Sequence, residues 1–176
     1  MRQEGQLTTS VKFAPFASWL PKDSQNSLEK RLSQLLLSAI ESSVILHRFP
    51  RGKYEISVLV IEHSPVPRVI QGDDHLAACL ACAVTGAGLA LADSGAQLYD
   101  IPVGVVVDMT KFERSSGRLC AAVLPQLQQI AMLYGGDVQV KNPEAFRQAL
   151  SQAIQTASLM AATIKQCIQA QLENRM

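Results

Sequence analysis

QGDDHLAACLACAVTGAGLALADSGAQLYDIPVGVVVD, residues Gln71 to Asp108, is the stretch around which the other segments must arrange themselves. It reads as a buried Ala-rich helix, a tight turn and a strand that is apolar on both faces. The helix is built from small residues (Ala77, Ala78, Cys79, Ala81, Ala83, Gly86, Ala87, Gly88, Ala90), which let another backbone approach closely. Ala favours the helix, whereas each interior Gly costs roughly 1 kcal/mol, so the glycines imply packing that demands their size. Asp93-Ser94-Gly95 supplies the stop, with Gly95 suited to a left-handed C-terminal position. Ile101–Val107 then reads as a buried strand. Together these predict the central helix of an α/β layer.

Upstream, Leu7, Thr9, Val11 and Phe13 alternate in a strand, Leu7–Phe16, stopped by Pro15. Trp19-Leu20-Pro21 reads as a loop, and Asp23 or Ser24 as the N-cap of a helix. Leu28, Leu32, Leu35, Leu36, Ala39, Ile40 and Val44 recur at spacings of three and four, one core face, with Glu29, Lys30, Arg31, Gln34 and Glu41 on the wet side. His47–Gly52 is a turn. Tyr54–Glu62 follows as a strand whose apolar residues on both faces predict a central, covered position. Ser64–Arg68 is an irregular linker.

Downstream, Lys111–Gly117 is a polar loop, and Leu119–Leu124 pairs antiparallel with Gln128–Tyr134 about a turn near Pro125. Asn142-Pro143-Glu144 is a helix start with a cap, a first-turn Pro and a first-turn acid. The last helix carries Phe146, Leu150, Ile154, Ala157, Ala161, Ile164 and Ile168 along one stripe. The order β–α–β–α–β–β–β–α argues for a layered, mixed α/β fold class.

At 176 residues the chain suits one domain, and 48% apolar with 18% charged residues is a globular composition. A net charge of +1 argues neither for nor against nucleic acid, although an autonomous RNA binder is usually more basic. Cys79, Cys82, Cys120 and Cys167 read as apolar core residues; the CxxC-like pair has no second pair and no ligand His. A reducing intracellular compartment follows as the default. Met1–Ser10 is too polar for a signal peptide, and no apolar run reads as long enough to span a bilayer, so no membrane association is expected. No G-x-S-x-G elbow, P-loop or dinucleotide fingerprint is present.

LALADSG followed by a short loop, YD and an apolar strand resembles the RNase PH family, whose pattern is close to QADGGTRTAA…LALADAG…(Y/R)D. GQLTTSVKFAPFA (Gly5–Ala17), HRFPRGKYEISVLVIE (His47–Glu62) and GRLCAAVLPQLQQIAMLYG (Gly117–Gly135) agree with it. APFA and a VLP-type strand resemble the family members that build the six-membered ring of the RNA exosome. The resemblance implies an RNase PH-like (ribosomal protein S5 domain 2-like) fold and work beside other RNase PH-like ring subunits, cap subunits and RNA, in nucleus, nucleolus and cytoplasm. Family members begin well before the APFA strand, so residues 1–176 are expected to form one domain lacking the first N-terminal strands. Such a loss leaves an open sheet edge and an uncovered apolar face.

Family members that degrade RNA by phosphorolysis hold phosphate with the GGTR of that motif. Aligned without gaps, those positions are Asp74, His75, Leu76 and Ala77: acid and imidazole stand for glycine, and Ala77 for the phosphate Arg. Two acids, Asp73 and Asp74, repel an anion rather than attract it. Of the family's two Asp residues after the buried strand, Asp108 matches one, while the other falls near Pro102–Gly104, where there is no acid. Active members also carry RNA-directed Arg residues on the preceding helix, and Leu35–Leu46 has none. The expectation is a non-catalytic subunit with no cofactor and no metal. Asp73, Asp74 and His75 fit a helix cap better than a metal site, and Asp108 fits a cap for its loop. Arg48, Arg51, Lys53 and Arg68 are the candidate RNA contacts, with Lys111, Arg114 and Arg118 a second cluster; each taken alone fits solvated loop charge somewhat better.

Overall fold

The computed structural model describes residues 5–17, 21–62, 74–112, 117–135 and 142–173, with only the backbone of 74, 75, 171 and 172. Trp19, the 64–68 linker with Arg68, Asp73 and Arg114 lie outside the described residues.

The elements follow the expected order: β1 (Gln6–Phe13), α1 (Lys22–Glu41), β2 (Lys53–Val60), α2 (Asp74–Asp93), β3 (Val103–Asp108), β4 (Arg118–Leu124), β5 (Gln129–Gly135) and α3 (Pro143–Glu173). β1 pairs with β2 in parallel, Gln6 opposite Lys53 and Phe13 opposite Val60. β3–β4–β5 is an antiparallel meander. The helices α1 and α2 lie between the two sheets, and α3 covers the far face of the meander. The alternation of β4 records this: Cys120 and Ala122 join the core with α1, α2, β1 and β2, while Leu119, Ala121 and Val123 meet Ala149, Ala153 and Ala157 of α3.

The central, covered strand is therefore β4, and the expectation for 54–62 is corrected. Among the described residues β2 pairs with β1 alone, and Leu59 and Ile61 are 60% and 61% exposed. β4 has a helix layer on each face; among the described residues β2 has one only on its inner face.

α2 packs as its small residues require, at two points. A Cβ on Gly88 would sit 2.8 Å from Pro102 Cδ, and one on Gly104 only 2.1 Å from the carbonyl oxygen of Ala81. Helix and strand touch backbone to backbone there, and the Gly104 N–H donates to Thr85 Oγ1 at 2.9 Å. Gly95 takes φ +77°, the left-handed stop. Gly86 departs from the expectation: a Cβ there would meet nothing within 4 Å. A second correction concerns length. Leu76–Asp93 is long and apolar enough to cross a membrane by those measures alone, and half of it is buried inside the fold. Ala, Gly and Thr dilute its apolar character enough to hide the run from inspection.

Three smaller differences have local causes. The N-cap of α1 is Pro21, so Asp23 and Ser24 fall within its first turn. Glu29 leaves the wet side, because its Oε1 accepts from Phe13 N at 3.0 Å and from Gln25 Nε2 at 2.9 Å. In α3 the buried line is Ala145, Ala149, Ala153 and Ala157, with Phe146, Leu150 and Ile154 flanking it; close approach to the sheet selects the small residues. Asn142 caps α3 as expected, its Oδ1 accepting from Glu144 N at 3.0 Å.

Candidate nucleic-acid interface

The expected RNA contacts converge on the turn before β2. Leaving α1, the chain bridges Val44 to Leu98, and Ile45 N donates to Gln97 O at 2.9 Å. A single 3₁₀ turn, Leu46–Arg48, follows. Phe49-Pro50-Arg51-Gly52 then closes with Gly52 N donating to Phe49 O at 3.1 Å. Pro at the second position and a positive φ at the third make a type II turn. The third residue is Arg51, at φ +64°. The start of β1 pins the turn from beneath: Gly5 N donates to Leu46 O at 3.1 Å, and a Cβ on Gly5 would lie 2.9 Å from Phe49 O.

Gly52 is needed for a different reason. The Phe49 ring fills the space of its missing Cβ, with Cδ1 1.8 Å from that position, and lies 5.2 Å from the Tyr54 ring. Half of the Phe49 surface stays open, 51%. Arg48 and Arg51 are exposed beside it. Lys53 pairs with Glu55 at 3.2 Å, which withdraws one of the expected cations. The structure thus brings together Arg48, Arg51 and Lys53, and adds Phe49.

The positions aligned with the phosphate motif divide. Asp74 and His75 open α2, while Leu76 is 3% and Ala77 0% exposed, both turned into the core. Asp108 ends β3, opposite Arg118. Its Oδ1 accepts from Thr110 N at 3.0 Å and from Thr110 Oγ1 at 2.7 Å. The Thr110 hydroxyl, then its N–H, hold the Asp108 carboxyl below its ordinary value, with Arg118 and Lys111 adding a smaller pull. Asp108 therefore caps the 3₁₀ turn Met109–Lys111. Among the described residues no three His, Cys, Asp or Glu side chains are arranged to hold a metal.

The acid of the Tyr-Asp pair in the family pattern has a structural task. Asp100 is only 7% exposed and accepts from Ile101 N at 2.9 Å and Gln126 N at 2.7 Å. It ties the α2–β3 connection to the β4–β5 turn. Its place in the Tyr-Asp pair before a buried strand was its signal in the sequence, and the sequence did not show what it binds. The cysteines sort by depth. Cys120 is buried, and desolvation pushes its thiol up to about 12, with Cys82 adding to it. Cys79 is raised for the same two reasons, whereas Cys82 and Cys167 are exposed.

Residues 1–97 match the family model for domain 1 of the 3′ exoribonuclease family, RNase PH. The human protein named exosome complex component MTR3 is 33% identical over 146 residues, covering 74% of this chain and 49% of its own. Exosome complex component Rrp41 of Pyrobaculum arsenaticum is 27% identical over 169 residues, 87% of this chain and 62% of its own. The chain thus spans about half to three fifths of the length of the curated relatives it matches. Rice Rrp46 superposes with a TM-score of 0.70 at 12% identity, over 96% of this chain and 75% of that one. An Archaeoglobus fulgidus exosome chain, solved with RNA in its active site, gives 0.71 at 12% identity over 93% and 72%. Its fold is RNase PH-like, and the chain belongs to the 3′ exoribonuclease (RNase PH) family.

Proposed function

We propose that this chain is a non-catalytic, structural subunit of an exosome-type ring, resembling the MTR3 subunit and working as one domain over its 176 residues. It supports 3′-to-5′ RNA processing and degradation by pairing with RNase PH-like neighbours and carrying cap subunits, in the nucleus, the nucleolus and the cytoplasm. The observation that carries the reading is the unfinished edge of β2. The N–H groups of Val11 and Phe13, on the outer side of β1, donate to Ser33 and Glu29 of α1, so that edge is sealed. By the same alternation the outer edge of β2 presents the backbone of Lys53, Glu55, Ser57 and Leu59, and among the described residues no strand pairs with it. Leu59 lies on that edge and Ile61 follows it, 60% and 61% exposed. An exposed edge with apolar residues is a template for a further strand, from another chain or from the family's N-terminal strands.

The lack of catalysis rests on two placements. Ala77 points into the core where the aligned family position carries the phosphate-holding Arg, and Asp108 is committed to its cap. Holding phosphate as a nucleophile needs a cation and free N–H groups. The test is purification of the tagged chain from its own cells, with Leu59→Lys/Ile61→Lys as a second bait. RNase PH-like and cap subunits should accompany the first and be lost from the second, and the purified chain should release no nucleoside diphosphates from RNA with inorganic phosphate. Phosphate-dependent release by the chain alone would replace this reading with that of an active exoribonuclease.

A further inference from the structure

The Phe49–Gly52 turn spends stability without a return inside the fold. The third position of a type II turn belongs to Gly or Asn, because a Cβ is strained at positive φ. Here that position holds Arg51 at φ +64°, while the adjacent Gly52 is reserved for the Phe49 ring. Such outliers persist only where the surrounding structure holds them and cluster at functional sites; the other in this chain, Gln128 at φ +52°, lies in the β4–β5 turn. Nothing in the fold rewards the guanidinium. It is exposed, and among the described residues neither Arg51 nor Arg48 has an ion pair or side-chain hydrogen bond. Glu55, an acid on the neighbouring strand, is engaged by Lys53.

We propose that this turn is a contact site for one step of single-stranded RNA, with Arg51 and Arg48 on a phosphodiester and the open face of Phe49 under a base. A stationary aromatic face beside two unpaired cations matches the alternation of base and phosphate along a single strand. Aromatic stacking tolerates any base and cations read no sequence, so the contact is sequence-independent. An acidic peptide would use the cations and leave the ring idle. The site deepens the ring-subunit reading and rests on it for its biological setting, but its chemistry belongs to the turn.

The test is Arg51→Gly. Because the φ suits glycine, this variant should melt higher by about 2–4 °C, while binding of a fluorescent 12-nucleotide oligoadenylate weakens several-fold. The slope of log affinity against log salt should fall by about 0.7, one phosphate contact on a single strand. Stability and affinity moving in opposite directions is an outcome that a structural Arg cannot produce. Phe49→Leu, checked for folding by circular dichroism, should weaken binding by at least fivefold. Polyglutamate of equal charge should compete poorly. Unchanged affinity in Arg51→Gly, no oligoadenylate binding by the parent chain, or equal competition by polyglutamate overturns the proposal. Ring partners that co-purify with an Arg51→Gly chain of normal RNA affinity would sink this site alone; RNA binding without ring partners would sink the ring reading alone.

Discussion

The two sheets of this protein face the same pair of helices but differ in how they end. The β3–β4–β5 meander has α2 on one face and α3 on the other; at the β3 edge Thr85 Oγ1 accepts from Gly104 N, and among the described residues β5 pairs with β4 alone. In the β1–β2 pair, α1 closes the β1 edge through Ser33 and Glu29, while β2 has no further strand among the described residues and shows an exposed Leu59. The first region gains its stability within the chain. The second carries the Arg51 turn, with cations that have no ion pair among the described residues, and an edge flanked by exposed apolar side chains, whereas the positive φ of Gln128 in the meander sits in a plain hairpin turn. Substitutions should therefore divide by region: stability in the meander, association around β2.

The largest effect belongs to Gly104→Ala. The new Cβ would meet the Ala81 backbone at 2.1 to 2.6 Å, and backbone, unlike a side-chain tip, cannot swing away. The cost should be on the order of 5 kcal/mol, comparable with the whole stability of many domains. Urea denaturation should show a chain that is largely unfolded in buffer. A well-folded Gly104→Ala would mean that α2 and β3 are not in backbone contact.

Next is pH. The Cys120 thiol, held at about 12 by burial, has an ordinary value of 9.0. Above pH 9 the unfolded chain sheds this proton while the folded chain keeps it. Stability that is complete below pH 9 is thus lost as pH rises toward 12. By pH 11 the loss should reach about 3 kcal/mol. Cys120→Ala should flatten that part of the curve relative to the parent, and an alkylating reagent should label Cys82 and Cys167 long before Cys120. A parent and variant with parallel alkaline curves would show that Cys120 is wet.

Asp100→Ala removes an acceptor from Ile101 N and Gln126 N. Leaving two partly buried donors unpaired should cost about 2 kcal/mol, read as a lower melting temperature with binding around β2 unchanged. Gly86→Ala has the opposite sign. With nothing within 4 Å of the new methyl group, the helix should gain about 1 kcal/mol.

What could be read from sequence divides along the same line. Covered elements announce themselves: the Ala-rich α2, the Gly95 stop and the Asn142 cap stand where their residues place them. β2 misled because Leu59 and Ile61 look like core residues in a list of residue types. Their exposure depends on whether another layer covers that face, which local pattern does not encode. Likewise Arg51 was legible as a cation but not as a strained one, since Pro-Arg-Gly leaves open which residue takes the positive φ. Asp100 was legible as the acid of the Tyr-Asp pair, but its task was hidden because its second partner, Gln126, lies 26 residues away.

The smallest effect on stability, Leu59→Lys, is also the sharpest test of the contrast. At 60% exposure the side chain gives up little burial, and an edge strand accepts lysine readily, so melting should shift by less than about 0.5 kcal/mol. The same change at Val123, 0% exposed on β4, would bury an unpaired ammonium and should unfold the chain. If β2 is an interface, Leu59→Lys leaves a folded chain that no longer assembles, because a charge on the pairing edge must be desolvated by the incoming strand. If Leu59→Lys destabilises the isolated chain as Val123→Lys does, some other part of the chain covers β2. The edge would then be finished from within, and the two sheets would not differ after all.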